Sequence, residues 1–372
     1  SELERHIGLA VAYNIWNYYQ VSGDLDFMSF YGAEMLIEIA RFWASKVQYN
    51  DALGRYEIRG VMGPDEFHEG YHGSEEFGIN NNAYTNVMAA WMFCRTLDTL
   101  QLLPLAHRRD IWKDLSLSER ELTRWDEISR KMYVPFHGDG IISQFDGFDD
   151  LEELDWERYR KKYGNVSRLD RILKAEGDSP DRYKVSKQAD VLMLFYLFSS
   201  DELEGLFYRL GYRLEPDTMQ KTIDYYMERT SNGSTLSLVV HAWVLSRINR
   251  EMSWNLFREA LKSDVSDIQG GTTHEGIHLG AMACTVDIVQ RCYPGLETRG
   301  DVLWFDPKLP TELTRLRFDI EYRHHRIDVE IDRDRLRLFS QPQDIEPIKV
   351  GYRDSVQTIA PGEAIEFDLG PQ

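Results

Sequence analysis

LRFDIEYRHHRIDVEIDRDRLRLF, Leu316 to Phe339, is the stretch whose reading decides the architecture. Leu316, Phe318, Ile320 and Tyr322 alternate with polar neighbours, as do Ile327, Val329 and Ile331, and then Leu336 and Leu338. A period of two puts alternate side chains on one face, so these are strands with one buried side. The connections RHH and DRD are short enough for hairpins. Upstream the period is helical. Leu9, Tyr13, Trp16 and Tyr19 recur at helical spacing over 2–22, and Met35, Leu36, Ile39, Phe42 and Trp43 do so over 30–47. VSGDLDF between them is a helix stop and restart, with Gly23 suited to the position after a helix end.

Further helices are predicted over 81–100, 116–132, 186–198, 201–209, 216–228, 235–249, 251–262 and 276–291. Ser116, three residues before Glu119, reads as the start of a capping box. The period changes after Tyr293-Pro294-Gly295. The expected organisation is therefore a helical domain over 1–295 and a small antiparallel β domain, a sandwich, over 296–372. The successive helical hairpins have no fixed repeat, which argues against a solenoid. A bundle or an α/α toroid remains, and in a toroid the loops at one end converge on a central pocket. Two stretches stand apart. Residues 48–80 read as irregular. Residues 133–183 show little periodicity and fit a pocket lid or a surface excursion equally well.

The 372 residues are 42% hydrophobic, enough for a sizeable core. A net charge of -19 argues against nucleic acid and anionic membrane as partners. No apolar run reaches the length of a membrane span. The start, SELERHIGLA, lacks a basic region leading into an apolar core, so no signal peptide is expected, and the location implied is cytoplasmic. It also lacks an initiator Met, as a processed or truncated piece would. Cys94, Cys284 and Cys292 suggest neither a disulfide framework nor a zinc site and are expected to be buried reduced thiols. Nine Trp and twenty Tyr serve as core material or as sugar-stacking platforms.

Four loops or helix starts are richer in polar groups than packing requires. In GVMGPDEFHEG, Gly60–Gly70, a Gly-Pro turn lifts Asp65, Glu66 and Glu69 onto a loop beside Phe67 and His68. A carboxyl in a partly dry loop beside rings acquires the raised pKa a general acid needs; the alternative is a solvated acidic loop capping the next helix. KQAD, Lys187 to Asp190, opens an apolar helix; Lys187 and Gln188 could bind sugar hydroxyls, or the segment is a solvated first turn with Asp190 favoured by the helix dipole. TSNGSTLSLVVHAW supplies Ser231, Ser234, Thr235 and Ser237 at a helix start, which makes an anion site or an ordinary cap. DIQGGTTHEGIHLGAMA, Asp267 to Ala283, combines close-approach glycines with Thr272, Thr273, His274, Glu275 and His278. HEGIH is a poor zinc site, since Gly276 weakens the helix and no third ligand is evident.

GVMGPDEFHEG…NNAYTN, SKQADV, GSTLS..VHA and GGTTHEGIHLGAMA, in that order, resemble glycoside hydrolase family 65, which includes maltose, trehalose and kojibiose phosphorylases. LWFDPKLPTELTRLRFDIEYRHHRIDVEI resembles the start of the family's C-terminal β domain. The resemblance covers nearly the whole chain. It implies an (α/α)6 barrel, incomplete at its N-terminal end, and inverting attack on an α-glucosidic bond without metal or other cofactor. Glu66 would be the general acid, Lys187 and Gln188 would bind the sugar, and Ser234, Thr235 and His278 would hold inorganic phosphate as co-substrate and nucleophile. A phosphate oxyanion needs no base to deprotonate it, so one carboxylic acid suffices. The partners implied are a disaccharide and phosphate; the β domain could also serve a homodimer contact.

Departures from the family pattern matter. GYHGSEEFGI intervenes between the catalytic motif and NNAYTN and could reshape the acceptor subsite. The family's N-terminal β-sandwich, the first part of its barrel and its aromatic substrate loop precede the present start, so the piece resembles the C-terminal half to two-thirds of a longer protein. Two alternatives stay open. In an inverting hydrolase Glu275 would be the base, roughly 6.5–9.5 Å from the acid. The other alternative is a carbohydrate-binding fragment without turnover.

Overall fold

The computed structural model describes residues 2–266, 274 and 276–370. Packing divides the chain into two compact units, 1–16 with 25–237, and 17–24 with 238–372. The division thus falls inside the helical region rather than at the change of period near 295.

The first unit is helical and is built around Ala83–Leu102. Asn82 caps this helix, its side chain accepting from Thr85 N at 2.9 Å. All of residues 83–94 are buried. A helix apolar on every side belongs in the interior, and this one takes neighbours all round. Trp91 meets Tyr13 of Ile7–Ser22 and Phe198, while Phe93 meets Trp125 of Glu119–Lys131. Thr96 donates its hydroxyl to Leu36 O of Ala33–Lys46.

Three local expectations change. The capping box lies two residues later than Ser116: Ser118 Oγ accepts from Glu121 N, and the Glu121 carboxylate accepts from Ser118 N at 3.0 Å. Ser116 instead takes a left-handed φ of 49°, ending the turn after the unpredicted helix Leu105–Asp114. The irregular stretch 48–80 contains part of a hairpin, Val47–Asn50 against Arg55–Ile58. Residues 133–183 are not a bare excursion. They include the helices Trp156–Tyr163 and Leu169–Ala175, whose Tyr159, Leu169 and Leu173 form a core with Phe67, Leu154 and Val185. The segment thus packs directly beneath the GPDEFHEG loop.

The second unit holds the helices Arg250–Ala260 and Leu279–Asp287 and two four-stranded sheets. Trp254, Phe257 and Tyr293 pack ring against ring. One sheet runs Ala364–Asp368, Arg335–Ser340, His325–Asp332, Arg315–Tyr322, antiparallel throughout. Leu316 faces Ile331 and Phe318 faces Val329, the cross-strand pairs that the period of two requires. Arg323 and His324 both have positive φ, 48° and 67°, as a two-residue hairpin turn matched to strand twist demands. The other sheet is Ser355–Ile359, Ile348–Tyr352, Val302–Phe305, Glu297–Arg299. It departs from the antiparallel expectation in one place, where Ile348–Tyr352 runs parallel to Val302–Phe305. There Gly351 lies opposite Trp304; a Cβ at 351 would come within 2.3 Å of the indole. Tyr352 meets Phe367 of the first sheet at 5.8 Å, joining the two layers of the sandwich.

Cys94 and Cys292 are buried and free, whereas Cys284 is only half-buried. No helix among the described residues is long and apolar enough to cross a membrane.

Candidate functional site

The loop after Gly63-Pro64 is held by two buried carboxyl groups. Asp65 is 2% exposed and Asp190 1%. Asp65 Oδ1 accepts from the backbone N–H groups of Lys187 and Gln188, at 2.6 and 2.8 Å, and Oδ2 accepts from Gln144 Nε2 at 3.1 Å. Asp65 N donates to Asp190 Oδ1 at 2.6 Å, and Asn82 Nδ2 donates to Asp190 Oδ2 at 2.8 Å. Gln144 Oε1 accepts from Asp190 N at 3.2 Å. Four segments far apart in sequence thus meet at one point.

Glu66 follows with a left-handed φ of 62°, an uncommon conformation for a residue with a side chain. The strain turns its carboxylate away from the buried pair and outward. Its side chain is 52% exposed and pairs with Lys187 Nζ at 3.0 Å. Phe67 goes the other way, into the core with Leu169 and Leu173. His68 is buried among Phe145 and Phe148, with Nε2 3.1 Å from Tyr183 O. Glu69 N and Gly70 N both donate to Asp181 Oδ1. The inserted segment folds back on the motif: Gly70 bridges to Phe77 and Val61 to Ile79, while Tyr71 Oη donates to Asp146 O.

The dry carboxyl that the sequence places in this loop is therefore Asp65, while Glu66 reaches solvent. Burial pushes the Asp65 carboxyl up to about 7 against the pull of its three N–H donors. Asp190 is raised as well, first by burial and then by the charge of Asp65. This overturns the solvated-first-turn reading of Asp190. Lys187 and Gln188 precede the helix Asp190–Leu197, and their N–H groups clasp Asp65.

The serine-rich segment lies alongside. Ser231 N donates to Ser186 O at 2.8 Å, and Ser237 Oγ donates to Lys187 O at 3.1 Å. Gly233 passes close to Ser167: a Cβ there would stand 2.4 Å from Ser167 O, and 3.3 Å from Lys187 Cγ. Ser234 is half-buried at the start of Thr235–Leu245, its Oγ accepting from Leu236 N, and Thr235 is buried. The first unit therefore brings Glu66, Lys187, Gln188, Ser234 and Thr235 onto neighbouring segments.

His278 belongs to the second unit. Its Nδ1 lies 2.6 Å from Asp264 Oδ1 and its N donates to Asp264 Oδ2, which fixes the ring just before Leu279–Asp287. Glu275, together with Thr272 and Thr273, lies outside the described residues. Among the described residues no cluster of three His, Cys, Asp or Glu could hold a metal ion. The sequence reading passed over Gln144 and Asp181. Both sit in the aperiodic 133–183 stretch, where no local pattern separates a supporting residue from a surface one.

Residues 1–287 match the family description glycosyl hydrolase family 65 central catalytic domain, and residues 296–359 match the C-terminal domain of the same family. The chain belongs to glycosyl hydrolase family 65. An uncharacterized glycosyl hydrolase of Mycobacterium tuberculosis is 55% identical over 98% of this chain and 28% of its own length. The trehalose 6-phosphate phosphorylase of Lactococcus lactis is 36% identical over 99% of this chain and 46% of its own length. A solved structure, a putative kojibiose phosphorylase from human microbiome, superimposes with a TM-score of 0.75 at 25% identity, covering 97% of this chain and 46% of that one. This family 65 chain thus spans less than half the length of these relatives. Its fold class is the family's, helical of the (α/α)6 type followed by a β-sandwich.

Proposed function

We propose that the full-length protein is an inverting phosphorylase of an α-glucosidic disaccharide of the maltose, trehalose or kojibiose type. Inorganic phosphate is the nucleophile and β-glucose 1-phosphate the product. One observation carries this reading: Glu66 is turned out of the loop onto Lys187, whose main chain in turn holds the serine-rich helix start. An acid, a sugar-binding ammonium and a cluster of hydroxyls with helix N–H groups then stand on adjoining segments. The names of the relatives, phosphorylases of trehalose 6-phosphate, kojibiose and maltose, support the same chemistry.

In this reading Glu66 protonates the leaving glycosidic oxygen. Sugar bound over Glu66 displaces water from the carboxyl and draws Lys187 to a hydroxyl. Gln188 adds a second contact to the sugar. Phosphate is held by Ser234, Thr235 and the helix N-terminus. The scheme uses no metal or organic cofactor.

Steady-state kinetics with Ser234→Ala test the phosphate assignment. The hydroxyl-to-phosphate hydrogen bond is charge-assisted, so its loss should raise KM for phosphate roughly tenfold or more. KM for the disaccharide should stay nearly constant. An unchanged KM for phosphate contradicts the assignment. Glu275→Gln run beside it separates the chemistries: a phosphorylase keeps most of its turnover, whereas a hydrolase with Glu275 as base loses it.

A further inference from the structure

Asp65 and Asp190 are two acids enclosed by protein, and among the described residues neither has a Lys or Arg nitrogen within ion-pair distance. Two carboxylates cannot both stay ionised in such a place without a compensating charge. The groups facing them are few. His68 Nδ1 stands 3.9 Å from Asp65 Oδ2 without a hydrogen-bond partner, and since its Nε2 is turned to a carbonyl, neutral His68 presents a bare lone pair there. The charge of Lys187 acts on Asp65 and that of Glu66 on Asp190, and Tyr84 and Tyr226 feel the charge of Asp190. Among the described residues, every other hydrogen bond to the two carboxyl groups comes from a neutral N–H donor.

Those donors are what place the exposed groups. Asp190 Oδ1 holds the N–H of Asp65, the residue immediately before Glu66. Asp65 Oδ1 holds the N–H of Lys187 itself. We propose that Asp65 and Asp190 form a buried carboxyl pair that shares one proton at neutral pH and acts as the positioning device for Glu66 and Lys187. This rests on the functional reading above for what Glu66 and Lys187 do, but not for the proton.

The sign of the pH effect follows from the raised carboxyls. The unfolded chain ionises both near the ordinary value of 3.8, while the folded protein keeps Asp65 protonated up to about 7. The folded state therefore binds more protons across that window. The pair's contribution to stability is full below the ordinary value and is lost as pH rises towards 7. Asp190→Asn removes one of the two acids in a nearly isosteric side chain, and with it the part of the pH effect that Asp190 contributes; Asp65 stays buried and keeps its own.

The experiment uses the full-length protein. Tm is measured from pH 5 to pH 7.5 for the wild type and Asp190→Asn. The wild type should lose roughly 2–4 °C or more relative to the variant as pH rises. Parallel curves overturn the shared proton, whatever the protein's activity. Kinetics of Asp190→Ala and Asp190→Asn then test positioning. Alanine leaves Asp65 N and Asn82 Nδ2 without an acceptor and should lower kcat about 100-fold with little change in KM, as a displaced reacting group does. Asparagine keeps one acceptor, for Asp65 N, and should restore part of that loss. Equal kcat in Asp190→Ala and wild type overturns the positioning role. If the alanine variant does not fold, the kcat of Asp190→Asn decides it over pH 5–7.5. A profile shifted from wild type supports coupling of the pair to Glu66, and a superimposable profile overturns it.

Discussion

Glu66→Gln lowers turnover of the full-length protein by roughly 10²–10⁴-fold, the range a positioned general acid supplies. The substitution is chosen because little else should change. Gln fits the same left-handed backbone as Glu, and its amide oxygen can still accept from Lys187 Nζ, which now lies 3.0 Å from the carboxylate. What disappears is the transferable proton. Disaccharide binding, measured by calorimetry, should therefore persist. A substrate whose leaving group needs no proton, such as a glucosyl fluoride, should recover most of the lost rate. Glu66→Gly sharpens the point. A left-handed φ of 62° costs glutamate on the order of 1 kcal/mol that glycine avoids, so this variant should be inactive yet at least as stable as wild type. A residue that is strained, exposed and stabilising when removed is held for function. Full turnover in Glu66→Gln would show that the acid lies elsewhere.

Gly63→Ala has the second large effect. A Cβ at position 63 would lie 1.9 Å from Asp190 Oδ2, 2.9 Å from Asp190 Cγ and 2.6 Å from Asn82 Nδ2. Neither neighbour can retreat. Asn82 caps the central helix, and Asp190 is bonded to Asp65 N, to Asn82 and, through its own N, to Gln144. The loop itself must move. Overpacking of this kind destabilises by roughly 1–3 kcal/mol or more. A shift of about 1 Å in the segment carrying Glu66 can lower turnover about 100-fold. Thermal unfolding and kinetics on the same preparation check both. An alanine variant with unchanged Tm and unchanged kcat would contradict the described contact of loop and carboxyl pair.

Period carries the fold where one face is buried. Leu316, Phe318, Ile331 and Val329 pair across strands as their alternation requires, and Asn82 caps its helix as an Asn before an apolar run should. Local rules fail where two sites satisfy them equally. Ser116 and Ser118 both stand three residues before a Glu, and only the chain path after Asp114 selects the second. The site shows the same division. Glu66, Lys187 and Ser234 stand out as polar groups where packing needs none. The buried roles of Asp65 and Asp190 do not, because they depend on a contact across 125 positions that no spacing encodes. Gln144 is less legible still, since it bonds both acids from a stretch with no period at all.

In the proposed reaction phosphate attacks opposite Glu66. The most direct test is product analysis with the full-length protein on maltose, trehalose and kojibiose, with and without inorganic phosphate, following the anomers by NMR in the first minutes. The expected result is β-glucose 1-phosphate formed one for one with the released sugar, and almost no cleavage when phosphate is omitted. Free β-glucose released at the same rate in phosphate-free buffer would contradict it.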